Sequence, residues 1–273
     1  MGSEMCIRDS DIAIWASDNS LATACRKVEE AVERIFAWCR EAKLTLNIDK
    51  CEVTFFSTDT HEAAVIPVVN VQGRNLPFNP TPRFLGVTFD RSLTFRQHID
   101  QICRTAIQRC RLIGTLANRE WGWHPKRLRA IYLALVRSVL SFAAAGWVPW
   151  ISADAMNQLV RADNRALCIV SGLLNTAPVE TIAIEAGVQD LKTHYDYLIG
   201  KSWISAQCLP QQHPRSLAYR GNVALRTRRE DWSTRGRDVC NLHKIGKLED
   251  RLSSIGSPPD YSTIRRMWRS AEI

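Results

Sequence analysis

From Leu93 onward the spacing of apolar residues takes on the period of an α-helix and keeps it as far as residue 207. A chain so patterned can bury its apolar stripes only by packing helix on helix. The spacing predicts helices at about 95–118, 125–145, 153–171 and 178–186, with a further one near 190–207. Pro125, Pro149 and Pro178 stand at the boundaries, where a missing N–H and a fixed φ are tolerated. In the first of these helices Ile99, Ile102, Ala106, Cys110 and Ile113 share one face. Arg96, Arg104 and Arg111 fall on another, within an arc of roughly 80°.

Before Leu93 the pattern is mixed. Asp11–Ala16 is short, apolar and free of proline, which reads as a buried strand. Ser20 is placed to cap a helix whose stripe is Leu21, Cys25, Val28, Val32, Ile35, Phe36 and Cys39, with Glu30 and Arg34 paired at i, i+4 on its wet side. Leu44–Lys50 reads as a polar turn and Cys51–Phe56 as a strand. Val68–Pro77 reads as a hairpin with Gly73 at its turn, and Arg83–Asp90 as a strand containing Gly86. The fold class is therefore α+β followed by all-α. Beyond Pro210 the periodicity weakens into a basic, loosely structured tail.

Charge is local rather than diffuse. The net charge is +8, but residues 91–130 carry +7, residues 201–273 carry +7, and the remainder carries −6. Concentrated positive charge is the footprint of a polyanionic partner, although a basic solvated surface gives the same count. None of the nine cysteines forms a Cys-x2-Cys pair and no histidines stand at zinc-ligand spacing, which argues against structural zinc and for reduced thiols in an intracellular compartment. No apolar run is expected to approach the ~18 residues of a membrane span. Met5-Cys6-Ile7-Arg8-Asp9-Ser10 back-translates without strain to the end of a transposase adaptor used in sequencing libraries. Residues 1–10 are accordingly set aside as a junction artefact.

Four features, in order across about 11–200, resemble the reverse transcriptases of non-LTR (LINE-type) retrotransposons. Asp11-Ile12-Ala13-Ile14-Trp15 looks like the second Asp of an aromatic-Ala-Asp-Asp turn and the strand after it. Leu46-Asn47-Ile48-Asp49-Lys50 is similar to a Leu-Asn-x-x-Lys element, and Phe84–Asp90 to a Phe-Leu-Gly-Val-x-x-Asp hairpin. Leu93-Thr94-Phe95-Arg96-Gln97-His98 resembles a Leu-x-Phe-x-x-His helix start, and Arg165-Ala166-Leu167 with Thr176-Ala177-Pro178 resembles a later element. Elements of the ingi type are the suggested nearest group.

The resemblance implies an incomplete palm over 11–90, a helical thumb and extension over 91–200, and a linker or tail over 201–273. It implies an RNA-directed DNA polymerase that takes an RNA template, a DNA primer and deoxynucleoside triphosphates, uses Mg²⁺, has no membrane partner, and works in the nucleus. Asp11 would be a catalytic metal carboxylate; its other reading is a strand-initiating Asp at an accidental junction. Lys50 would donate a proton to the leaving pyrophosphate, or be a solvated turn lysine. Phe84, Leu85, Gly86 and Val87 would form the primer grip, where a missing Cβ lets a ligand approach the backbone; the competing reading is a tight turn without ligand. Arg96, Arg104 and Arg111, extended by Lys126, Arg127 and Arg129, would contact phosphates without regard to sequence, or be simply solvated. Asn47 is expected to order its own turn by bonding local backbone.

This sequence departs from the pattern at Ser10, where the family has Asp, and it offers no counterpart for the carboxylate of an earlier palm strand. One carboxylate cannot hold a two-metal site, so this chain alone is expected to be inactive. The alternative function is a non-catalytic nucleic-acid-binding helical module.

Overall fold

Helix α1 (Leu21–Glu41) forms on the predicted stripe. In a computed structural model that describes residues 12–57, 65–117, 122–210, 212–213 and 236–239, this helix organises the first of two compact units, Met1–His98 and Ile99–Ile273. Cys25, Val28, Val32 and Phe36 pack on Val69 and Val71, with Leu46, Ile48, Val53 and Leu76 closing the cluster. Ser20 takes the cap position with extended backbone, but its hydroxyl makes no cap bond; its own N–H donates to Asp18 Oδ1 at 3.2 Å. The expected Glu30–Arg34 pair is replaced by Arg26–Glu30 at 4.0 Å, while Arg34 Nε donates to the Glu30 carbonyl.

Strands β1 (Asn70–Val71) and β2 (Arg74–Asn75) pair antiparallel, as the hairpin reading required. Gln72 and Gly73 both have positive φ, 49° and 78°, the condition for a type I′ turn, which matches the twist of the flanking strands. The Asn70 N–H donates to Glu29 Oε1 at 2.7 Å, tying hairpin to helix.

Three strand expectations are corrected. Residues 12–17 are not in a strand, and Trp15 is 85% exposed; among the described residues this segment has no neighbouring strand to bond with. Residues 51–56 make one parallel bridge, Val53 to Phe78, instead of a ladder, because Pro77, Pro80 and Pro82 leave the partner chain short of donors. Residues 83–90 are not one strand but a second hairpin, β3 (Arg83–Phe84) with β4 (Val87–Thr88), in which Arg83 pairs with Thr88.

The second unit is helical, as the period predicted: α2 (Arg96–Leu116, beginning in the first unit), α3 (Pro125–Tyr132), α4 (Ser138–Ser141), α5 (Ala144–Trp147), α6 (Ala153–Ser171), α7 (Val179–Glu185) and α8 (Leu191–Gln207). Helix α6 packs against α3, α7 and α8, and α5 against α8. Its ends are fixed by Ser152, whose Oγ accepts the Ala155 N–H, and by Gly172 at φ 74°. The overall class is α+β with small antiparallel sheets.

Pro125–Trp150 corrects a further expectation: by length and composition this one segment is apolar enough to cross a membrane. It is not a single α-helix, however. A π-helical turn, Leu133–Arg137, follows α3, and the chain breaks again at Phe142–Ala143, where Ala143 has φ 51°. In α geometry the residue five places beyond Tyr132 would point roughly 140° away. The i→i+5 turn brings Arg137 back toward the face of Tyr132, and there it is buried.

The buried polar centre of the unit results from that shift. Arg137 Nη2 lies 3.1 Å from Asp163 Oδ2, Arg137 Nε donates to Tyr132 Oη at 2.7 Å, and Tyr132 Oη donates to Asp163 Oδ1 at 2.6 Å. Arg137 Nη2 also donates to the Gln189 carbonyl at 2.8 Å, which reaches the loop before α8. Burial pushes the Asp163 carboxyl up, opposed by the Arg137 charge, and pushes the Tyr132 hydroxyl up so that it remains a donor.

Removing one member leaves the other charge buried and unpaired, so Arg137→Ala is expected to lower unfolding free energy by about 3–5 kcal/mol in urea titrations, whereas Arg137→Met with Asp163→Leu recovers most of it. A second expectation concerns pH. Burial first, then Arg137, hold the His194 imidazole down at about 4. The unfolded chain therefore binds more protons between that value and about 6.5. Stability is full above the upper limit and falls as pH drops toward the lower. Urea midpoints at pH 7 and 4.5 should differ less in His194→Gln.

Candidate functional site

The motif residues of the first unit are set by local backbone chemistry. Lys50 ends a 3-10 turn, Ile48–Lys50, whose cap is Asn47: its Oδ1 accepts the Asp49 N–H at 3.1 Å, the role expected of it. Leu46 and Ile48 anchor the turn in the α1 cluster, and Asp49 meets Arg74 at 3.3 Å. Lys50 is exposed, and its ammonium makes no hydrogen bond or ion pair among the described residues.

The Phe84–Val87 element is a two-residue turn. Leu85 and Gly86 have φ of 46° and 85°, again the I′ condition. Val87 points inward and is buried, Phe84 is half-buried, and Leu85 stands 64% exposed at the tip. Lys50 and this hairpin are joined through residues 51–57. Val53 bonds Pro77 and Asn79, Ser57 N–H donates to the Arg91 carbonyl, and the Phe56 and Phe89 rings meet at a tilt with centroids 6.0 Å apart.

Behind the hairpin, Asp90 and His98 do structural work that the motif match did not reveal. The two Asp90 oxygens accept the N–H groups of Thr94 and Phe95 and the Thr94 hydroxyl. This holds a loop in which Leu93 and Phe95 both carry positive φ, 52° and 57°. His98 is buried, and its Nδ1 accepts the Thr88 N–H at 3.4 Å, joining β4 to the first turns of α2. Burial, then the Arg83 charge, lower its pKa below the usual histidine range. The helix-cap spacing rule does not reveal the role of Asp90, since a cap oxygen accepts from the N–H two or three residues on and Asp90 accepts from those four and five residues on.

In the second unit α2 buries Ile99, Ile102, Ala106, Cys110 and Ile113, while Arg104 and Arg111 are exposed, as is Arg96 at the helix start. Arg109 is different: it donates to the Leu135 carbonyl at 2.6 Å and braces the π turn. Lys126, Arg127 and Arg129 are exposed on α3. The first turn of α3 holds no acidic residue, and His124 Nδ1 caps the Lys126 N–H at 3.2 Å. Two cations thus sit at a helix end that already carries positive potential, an arrangement disfavoured for the helix alone and attractive to an anion. Arg129 leans toward Gly187, where a Cβ would stand 3.0 Å from its Nη1 and the φ of 65° suits glycine.

Asp11 lies outside the described residues, as do the tail arginines between 226 and 235. Among the described residues no group of three or more His, Cys, Asp or Glu converges to hold a metal. These residues therefore do not fit the divalent site that the resemblance implies. The network that sequence reasoning missed altogether is Tyr132–Arg137–Asp163; an Arg inside an apolar run was its only trace.

No family model and no solved structure matches the chain. Known proteins do. It is 28% identical over 158 residues to a probable RNA-directed DNA polymerase from transposon BS of Drosophila melanogaster, covering 58% of this chain and 17% of that protein. It is 25% identical over 179 residues to a putative 115 kDa protein in the type-1 retrotransposable element R1DM of the same fly, covering 64% and 17%. Over 92 residues it is 28% identical to the RNA-directed DNA polymerase from mobile element jockey, covering 34% and 10%. The chain spans about a sixth of the length of the first two. Over the matched residues the chain is therefore similar to RNA-directed DNA polymerases of LINE-type retrotransposons.

Asp90→Ala is expected to cost about 1–2 kcal/mol of stability by releasing the loop before α2, with Asp90→Asn costing less. Equal urea midpoints for both variants and the parent would contradict the role of Asp90 in holding this loop.

Proposed function

We propose that this chain is the part of a LINE-type reverse transcriptase that lays template and primer against the catalytic centre: residues 11–90 as the end of the palm, 91–200 as the thumb and its helical extension, and 201–273 as a basic tail. The reading rests first on α2, which buries one apolar stripe and leaves Arg96, Arg104 and Arg111 in solvent. Lys126, Arg127 and Arg129 extend the positive surface on α3. Such side chains bind phosphates by charge and hydrogen bonding and supply affinity and position rather than sequence preference. The turn Leu85–Gly86 offers backbone without an obstructing Cβ at one of its two positions, a form suited to guiding a primer strand. In the intact polymerase Lys50 would protonate the departing pyrophosphate and Asp11 would be one of the metal carboxylates. No step is assigned to the divalent ion here, because the described residues hold no site for it. RNA template, DNA primer and nucleotides are the substrates on this reading, with residence in the nucleus.

Binding of the chain to an RNA–DNA hybrid, measured across a salt series, tests it. Log K should fall linearly with log salt. Arg104→Gln with Arg111→Gln should flatten the slope by about 1.8, or ~0.9 for each lost phosphate contact. A wild-type affinity indifferent to salt would remove the thumb reading.

A further inference from the structure

Helices α2 and α6 run alongside each other in the same direction. Near their starts Gln158 Nε2 donates to Asp100 Oδ1 at 2.8 Å. Further along, Arg165 and Asp163 both act on the buried Cys110 thiol. Beyond that, a Cβ on Gly114 would stand 4.0 Å from Cδ1 of Ile169. The partners advance together along both helices, which fixes the relative direction and locates the seam on each.

Placed on helical wheels about that seam, Arg104 and Arg111 lie roughly 60–80° to its solvent side on α2. Arg165 and Arg161 lie roughly 30–70° to its solvent side on α6. For two parallel helices with their buried stripes on a common side, these edges face the same way. All four arginines are exposed, and none forms an ion pair among the described residues. Of the acids on these two helices, Asp100 is engaged by Gln158 and Asp163 by Arg137 and Tyr132, while Asp154 lies in the first turn of α6, about two turns before Arg161. On α2 no acid follows Asp100.

We propose that Arg161 and Arg165 are phosphate-binding residues that form a second rail, parallel to Arg104 and Arg111, so that a nucleic-acid backbone lies along the α2–α6 seam. This rests on the nucleic-acid reading above and extends it to a helix that the reading did not use. It also gives a role to Arg165, the first residue of the late sequence element. Within each rail, the arginines stand roughly 10 Å apart on α2 and roughly 6 Å apart on α6. Planar guanidinium forks at such intervals can each take a different phosphate by paired hydrogen bonds.

The test measures binding of the full chain to a short RNA–DNA hybrid and to single-stranded RNA across salt. Arg161→Gln with Arg165→Gln should weaken binding about tenfold or more at low salt. It should also reduce the slope by about 1.8 on the hybrid or about 1.4 on the single strand, and whichever shows the loss identifies the backbone bound. Arg161→Lys with Arg165→Lys should keep the slope. If the double Gln variant does not fold, as judged by circular dichroism, each single Gln variant should remove about half the slope change. Wild-type binding by the α6 variants, alongside weakened Arg104→Gln with Arg111→Gln, overturns the second rail and leaves the thumb reading intact. An equal loss in a control carrying Arg26→Gln and Lys192→Gln overturns it as well. A salt-independent wild type overturns both.

Discussion

Asp163 sits in the middle of α6 with 1% of its surface accessible, and a carboxylate in that position is tolerable only if something brings charge and donors to it. Arg137 does so, but an uninterrupted α-helix would aim that side chain elsewhere. The π turn is the local distortion that reconciles the apolar pattern of 125–150 with one obligatory cation. Its consequences spread outward. The same guanidinium holds the Gln189 carbonyl and so the approach to α8, and Arg109 on α2 ties off the Leu135 carbonyl within the wide turn. Tyr195 on α8 reaches back to Leu140 and stacks edge-on against Trp147. The helical unit is thus arranged around one buried ion pair, with apolar packing filling in about it.

The first unit follows a different economy. Its sheets are two-residue ladders, too short to be stable by themselves, and their geometry comes from turns and side-chain ties. Glu29 receives one hairpin, and His98 and Asp90 secure the other. Several residues that carry the family resemblance are therefore structural members. Asp90 and His98 preserve the joint at which hairpin becomes helix, while Leu85 at the tip and Lys50 are exposed. A motif of this kind mixes residues that build a surface with residues that use it.

The helices from 93 to 207 were legible because apolar spacing over long segments carries redundant information; α6 was predicted over its whole extent. The turn at Asn47 and the Gly73 hairpin were legible from local chemistry alone. Strands were not. Residues 12–17, 51–56 and 83–90 look alike as apolar runs, yet pairing depends on what lies beside them, which a single segment does not encode. At Leu85 the need for positive φ was hidden by a residue type that rarely adopts it. The segment at 125–145 was read as one helix, since Arg137, the one charged residue between 130 and 150, was not recognised as half of a buried pair. Of the candidate site, the exposure of the α2 cations followed from the wheel, and the position of Asp11 lies outside the described residues.

The tip of the second hairpin has a further implication. Leucine at a left-handed position, with its side chain in solvent, is unfavourable on two counts, and asparagine would suit the same backbone better. A sequence chosen only for hairpin stability would not keep Leu85. Leu85 therefore holds an apolar side chain in solvent beside a glycine, so stabilising this turn and keeping its apolar tip are opposing aims for anyone who redesigns it.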